Sequence, residues 1–121
     1  MPEREYRIRF YRTISDRCQA CDYARAMIEP HQVKAKRWFA ALSDKGPAIP
    51  ADYGKYLRDG VWELRLSIQH HQHRFLYLFW HKDILVTNEF LKKTDAVPPE
   101  EIERALRAMS DWVARRARRE L

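Results

Sequence analysis

The sequence predicts an α+β fold, with an N-terminal strand and a helical hairpin packed on an antiparallel sheet and a helix at the C-terminus. Strand-like runs follow one another between positions 53 and 94 and are separated by short polar turns. Helical periodicity occurs only before and after this stretch. A chain of 121 residues, 45% of them hydrophobic, can bury one core but not two. We therefore expect residues 1–121 to form a single domain.

Period-2 alternation identifies the strands. The segment YRIRFYR at positions 6–12 is expected to be a first strand at an edge of the sheet. In VWELRLSI, at positions 61–68, Trp62 and Leu66 lie on an apolar face and Arg65 points to the other face. Two more strands are predicted, a central strand that is apolar on both faces and a final strand, at positions 74–80 and 84–91.

Polar segments separate these strands. Residues 47–60 are expected to form a loop that ends in the turn signal Asp59-Gly60. The run QHHQH at positions 69–73 is expected to form the following turn. Four of the five histidines therefore lie between Gln69 and Lys82.

Helices are predicted on both sides of the strands. Ser15-Asp16 is a suitable N-cap for a helix over 17–29, which Pro30 would end. A second helix is expected over 31–44, and the short link between the two favours a hairpin on one sheet face. Prolines and acids at positions 98–101 favour the start of the last helix.

The composition limits the class of function. Lysine and arginine total 23 against 17 aspartate and glutamate, so the formal net charge is +6. Such a surface favours polyanions, including RNA and DNA. No apolar run approaches the roughly 20 residues that span a bilayer, and the N-terminus lacks an apolar signal core. We expect a cytoplasmic protein that does not bind membranes.

The two cysteines, Cys18 and Cys21, form a CxxC motif. Such a motif can be a redox pair or half of a zinc site, but a second pair of ligands at close spacing is missing. Their i, i+3 spacing on an amphipathic helix favours simple packing. We expect helix packing, and no metal or cofactor.

Cationic residues recur at the ends of the predicted strands, with tyrosines and histidines close to them in sequence. Arginine and lysine at the rim of a sheet suit phosphate binding, and aromatic rings suit base stacking. Each of these groups can equally be a solvated surface residue, and His71 with His73 is also a conceivable metal chelate. The candidate residues are Arg65, Arg74, Lys92 and Lys93 for chemistry, and Tyr53, Lys55, His71, His73 and Tyr77 for RNA contact.

Three segments of the chain resemble RelE-like toxins of type II toxin–antitoxin systems, in the phage-derived and HigB-type branch of the RelE/ParE superfamily. They are DGVWELR, HRFLYLFW and NEFLKKTDAVPPEEIERAL, and the opening YRIRFYRTISDR also resembles the first strand of that branch. The resemblance implies a twisted antiparallel sheet and a ribosome-dependent mRNA endoribonuclease that inhibits translation. It places Arg65, Arg74, Lys92 and Lys93 on the RNA-facing side of the sheet. It also implies a cognate antitoxin, often a helix-turn-helix protein that brings the complex to operator DNA.

The expected reaction is metal-independent attack of the RNA 2′-OH on the adjacent phosphate, with arginines stabilising the phosphate oxygens. A lysine base would need its pKa lowered by about 3 units, whereas a histidine is poised near neutrality. His71 or His73 is therefore a candidate for proton transfer. Two alternatives remain open, a ParE-like toxin that binds DNA gyrase and an inactive member that binds only antitoxin and operator.

Overall fold

A computed structural model describes residues 5–121 of the chain. Residues 1–4, which belong to the N-terminal segment expected to lack a signal core, lie outside the described residues. The elements are β1 (Arg7–Phe10), α1 (Gln19–Ala26), α2 (Glu29–Lys45), β2 (Gly54–Arg58), β3 (Val61–Ile68), β4 (His71–Trp80), β5 (Asp83–Leu91) and α3 (Pro99–Ala117). No helix among residues 5–121 is long and apolar enough to cross a membrane.

The five strands form one mixed sheet in the order β1-β5-β4-β3-β2. β1 lies at an edge, as predicted, but it pairs with β5 in parallel. The expected purely antiparallel sheet is therefore wrong at this edge, and only β2 to β5 form an antiparallel meander. Parallel pairing is possible here because helices and three other strands separate β1 from β5 along the chain.

The sequence prediction missed β2, which lies in the segment assigned to a loop. β2 and β3 form a hairpin whose two-residue turn is Asp59-Gly60. Both turn residues have positive φ angles, 52° and 85°, as a turn that matches the twist of the strands requires. The turn signal was recognised, but the strand that leads into it was not.

The histidine-rich turn is shorter than predicted. Only Gln69 and His70 form it, with φ angles of 48° and 69°, and β4 already begins at His71. His71 and His73 are therefore strand residues. Because successive strand residues point to opposite faces, the length of this turn decides which face the histidines share.

Helices cover both faces of the sheet. α1 and α2 pack on one face and bury its apolar side chains, among them Leu64, Phe75 and Tyr77. α3 packs on the other face, where Ile102 and Ala105 meet Val61, Leu76 and Leu78. The predicted pair of helices on one face and the C-terminal helix are thus confirmed.

The first helix boundary differs from the prediction. α1 begins at Gln19 because Cys18, not Ser15-Asp16, is its N-cap; the Cys18 Sγ accepts a hydrogen bond from the Cys21 amide. Pro30 lies in the first turn of α2, where its missing N–H costs nothing. Cys18 and Cys21 form a disulfide, so the expectation that they only pack on a helix face is wrong.

Candidate functional site

The candidate site lies on the sheet face against which α3 packs. Arg65 of β3 and Arg74 of β4 are cross-strand partners. They share the strand alternation of Val61 and Leu76, which contact α3, so both arginines project to this face. The sequence correctly placed Arg65 opposite the Trp62/Leu66 face.

A buried carboxylate lies between the two arginines. Glu63 is 1% exposed, and its Oε1 lies 3.6 Å from the Nε of Arg65. Its Oε2 lies 3.7 Å from the Nε of Arg74. Both distances are contacts between opposite charges without a hydrogen bond, and Glu63 Oε2 and Arg74 Nε have no hydrogen-bond partner. Glu63 therefore interacts electrostatically with both guanidinium groups at once.

The two arginines differ in access to solvent. The Arg65 side chain is 34% exposed, whereas that of Arg74 is 4% exposed. Arg74 donates hydrogen bonds to the His73 carbonyl at 3.0 Å and to Gln72 Oε1 at 3.2 Å. Burial lowers the pKa of Arg74, Arg65 lowers it further and Glu63 opposes the shift, but a guanidinium stays charged at neutral pH. Arg65 can reach a ligand, whereas its cross-strand partner Arg74 is buried beside it.

The backbone of Arg65 is fixed from the other side of the sheet. The indole of Trp38 donates a hydrogen bond to the Arg65 carbonyl at 3.0 Å, and the Arg65 amide donates to the Tyr53 carbonyl at 2.6 Å. The rings of Trp38 and Tyr53 stack with centroids 4.4 Å apart. Tyr53, predicted to contact RNA, thus supports the strand that carries Arg65.

Two lysines lie near the arginine pair in the strand register, and Lys93 follows them in sequence. Lys55 of β2 is exposed and lies opposite Glu63 in the strand register. The Lys92 amide donates to the Gln72 carbonyl at 2.7 Å, so this half-buried lysine extends β5 beside the Arg74 strand. Lys93 is exposed. Among residues 5–121, none of these three lysines has an ion-pair partner.

The remaining candidates lie on the opposite face. Tyr77 is fully buried among core residues, which removes it from the candidate RNA surface. His73 is 4% exposed and is also unavailable to RNA, whereas His71 is exposed. The histidines and the two arginines therefore do not form one site.

His73 is the centre of a buried polar network. Its Nδ1 hydrogen-bonds the Tyr23 hydroxyl at 2.7 Å, and its Nε2 hydrogen-bonds the His31 Nδ1 at 2.9 Å. Burial lowers the pKa of His73 to about 4, and the neighbouring His31 and His71 act in the same direction. Both ring nitrogens are occupied, so His73 cannot join His71 in a chelate, and residues 5–121 contain no metal-binding group of three ligands.

Glu89 adjoins this network and is also buried. Burial raises the pKa of Glu89 to about 8, while hydrogen bonds from Tyr23 and Gln19 oppose the shift. The Gln19 amide group also makes two bonds to the Glu89 backbone, accepting from its N–H at 2.8 Å and donating to its carbonyl at 3.0 Å. The Gln19 side chain thereby satisfies backbone groups of β5 beyond Val86, where the pairing of β5 with β1 ends.

A cavity of about 880 Å³ is lined by neither Arg65 nor Arg74. The loop after β1, together with α1, β5 and α3, lines it with Tyr11, Tyr23, Asn88, Arg104 and Asp111 among other residues. None of the predicted site residues contributes to it.

The sequence allowed an ion pair between Arg65 and Glu63 but did not predict Glu63 as a buried site residue. Alternation alone places it on the face of Arg65, and the antiparallel register places it near Arg74. The burial of Glu63 depends on how α3 and the neighbouring strands pack around it, and the local sequence pattern does not predict this.

The fold and the site together define a small α+β protein with a cationic sheet face. The family model described as Phage derived protein Gp49-like (DUF891) matches residues 22–110, and the chain belongs to this family. The family is RelE-like and toxin-like and is associated with toxin–antitoxin systems. A comparison with curated proteins finds no match.

Proposed function

We propose that the chain is the toxin of a type II toxin–antitoxin system, of the HigB-like branch with a RelE-like fold. Its activity is ribosome-dependent cleavage of mRNA, which inhibits translation. One observation carries the proposal: the half-buried Arg65 guanidinium lies 3.6 Å from a buried carboxylate, with the buried Arg74 as its cross-strand partner and Lys55 and Lys92 on the neighbouring strands. Such a cation suits a phosphate group whose charge increases during a reaction.

The proposed reaction begins with the 2′-OH of one nucleotide, which attacks its own 3′-phosphate and expels the 5′ oxygen of the next nucleotide. Arg65 contacts the phosphate oxygens and stabilises the transition state, because a guanidinium can donate two parallel hydrogen bonds to them. Lys55, Lys92 and Lys93 contribute positive charge along the RNA backbone. The reaction requires no metal.

Proton transfer is assigned to groups on this same face. His73 is buried on the other face with both nitrogens occupied, and His71 projects from that face too. We therefore assign the proton-transfer role to a lysine of the arginine face, with Lys92 as the first candidate. Electrostatic stabilisation by Arg65 is the larger part of the catalysis.

The proposed partners are a cognate antitoxin, mRNA on the ribosome, and operator DNA reached through the antitoxin complex. Membership of a toxin-like family supports the antitoxin. An acidic segment of the antitoxin would bind the cationic Arg65 face through complementary charge. The antitoxin is expected to be a helix-turn-helix protein.

Arg65→Ala tests the proposal. Expression of the wild-type chain alone is expected to stop growth and to leave mRNA cut within reading frames. Arg65→Ala is expected to lower the cleavage rate by about 100-fold or more, because it removes the proposed phosphate contact. Arg65→Lys retains the positive charge but cannot donate a bidentate pair of hydrogen bonds, so an intermediate cleavage rate is expected.

The matched control is Arg37→Ala, which removes an exposed arginine on α2. It should remain as toxic as the wild type. Intact transcripts in a culture arrested by the wild-type chain would refute the proposed ribonuclease, and supercoiling by DNA gyrase should be measured in the same culture. Loss of supercoiling with intact mRNA would instead indicate a gyrase-directed toxin.

A further inference from the structure

A buried carboxylate with an unused oxygen needs an explanation. Glu63 lies in the middle of β3, is 1% exposed, and its Oε2 makes no hydrogen bond. Removing a carboxylate from water costs several kcal/mol, which its attraction to a partner offsets only when the geometry is good. Here both guanidinium contacts are longer than a hydrogen bond, at 3.6 and 3.7 Å.

The surrounding fold does not require this charge. Two residues before Glu63 on the same face, Val61 is fully buried among the apolar residues of α3. Apolar residues at positions 63 and 74 together would continue that packing, and replacing both members of a buried ion pair by apolar residues is often neutral or stabilising. A contribution to stability therefore does not account for Glu63.

The contacts of Glu63 point to Arg65. One carboxylate oxygen faces the Nε of Arg65 and the other faces the Nε of Arg74. The outer Nη atoms of Arg65 make no hydrogen bond among residues 5–121, so they remain free for a ligand. The attraction of Glu63 acts on the inner nitrogen of Arg65 and favours orientations in which the outer edge, the edge that binds two phosphate oxygens, faces away from Glu63.

Glu63 also sets the charge of the site. Arg65, Arg74 and the cross-strand neighbour Lys55 carry three positive charges, of which Glu63 neutralises one. Without Glu63 the site would attract an RNA phosphate more strongly before any reaction. Binding the substrate more tightly in this way does not speed the chemical step.

We propose that Glu63 is a positioning residue: it orients Arg65 towards the reacting phosphate and limits the positive charge that the bound RNA meets. This inference rests on the proposed ribonuclease function. It requires that loss of the Glu63 charge changes binding and cleavage in opposite directions, which a merely structural residue would not do.

Two variants of the full chain separate orientation from charge. Glu63→Gln keeps the shape and removes the charge, whereas Glu63→Asp keeps the charge and withdraws the carboxylate from both arginines. The control is Glu89→Gln, which alters a carboxyl group of similar burial on the opposite face. Circular dichroism and thermal unfolding test whether each variant is folded.

Binding is measured on ribosomes programmed with an mRNA that carries a single 2′-deoxynucleotide at the cleaved position, so that it cannot react. Cleavage is measured as a single-turnover rate with the all-ribose mRNA. Glu63→Gln is expected to lower the dissociation constant by about threefold, from one added charge near the phosphate. It should also slow cleavage by about tenfold or more, because Arg65 is no longer oriented. Glu63→Asp should slow cleavage similarly with unchanged binding, and Glu89→Gln should change neither quantity.

The outcomes distinguish the inference from the function on which it rests. If wild-type protein does not cleave the programmed mRNA, the proposed function fails. If wild-type protein cleaves and folded Glu63→Gln cleaves as fast, or loses binding and cleavage together, the proposed function stands and the positioning role is overturned. If Glu63→Gln does not fold, Glu63→Asp decides: a wild-type cleavage rate overturns the role, and slow cleavage with wild-type binding supports it.

Discussion

Removing Arg74 should destabilise the protein far more than removing a typical surface arginine. The Arg74 side chain is 4% exposed and pairs with the buried Glu63. Arg74→Met would leave that carboxylate without its buried partner and would remove two hydrogen bonds, to His73 and Gln72. Breaking a buried ion pair by removal of one partner costs about 3 to 5 kcal/mol.

The lower end of that range applies because Arg65 remains 3.6 Å from Glu63. We expect Arg74→Met to lower the free energy of unfolding by about 3 kcal/mol. For a chain of this length, that corresponds to a fall in Tm of about 10 °C. Urea unfolding followed by circular dichroism measures the free energy directly.

The double variant Glu63→Met/Arg74→Met supplies the decisive comparison. It leaves neither charge buried, so it should regain most of the stability, to within about 1 kcal/mol of wild type. If Arg74→Met is as stable as wild type, or if the double variant is no more stable than Arg74→Met, the description of Glu63 and Arg74 as a buried, mutually dependent pair is incorrect.

Two further predictions concern the other face of the sheet. Gln19→Ala removes two hydrogen bonds to the backbone of Glu89, so it should lower the free energy of unfolding by about 1 to 2 kcal/mol. It should also speed hydrogen exchange of the Glu89 amide. Unchanged exchange would contradict this. Burial raises the pKa of Glu89 from its ordinary value of 4.5 to about 8. The protonated carboxyl group therefore stabilises the folded state; this contribution is complete below pH 4.5 and is lost as the pH rises through 8. Glu89→Gln should therefore remove a fall in stability between about pH 4.5 and 8, and should be more stable than wild type by up to about 4 kcal/mol at pH 8 in urea titrations. An unchanged pH profile would contradict the raised pKa.

Alternation in the sequence was sufficient for the central strands and for the direction of Arg65. The pattern of VWELRLSI fixes which residues share a face, whatever packs against it. The three helices were also predictable, because each carries an apolar stripe at helical spacing. These features depend on short segments of the chain and can therefore be predicted without knowledge of the fold.

Features that depend on distant parts of the chain were not predictable. β2 is short and starts at Gly54, so only its pairing with β3 identifies it as a strand. The burial of Glu63 and Arg74 depends on what covers their face of the sheet. His73 lies in the core because the turn before β4 has two residues. A turn longer or shorter by one residue would have placed His73 on the arginine face.

The central claim is that Arg65 is the phosphate-binding group of an RNA-cleaving site. The most direct measurement is the single-turnover cleavage of mRNA on programmed ribosomes by purified wild-type and Arg65→Ala proteins of equal stability, with Arg37→Ala as control. We predict cleavage by wild type and by Arg37→Ala, and a rate lower by about 100-fold or more for Arg65→Ala. Equal cleavage by wild type and Arg65→Ala would contradict the claim.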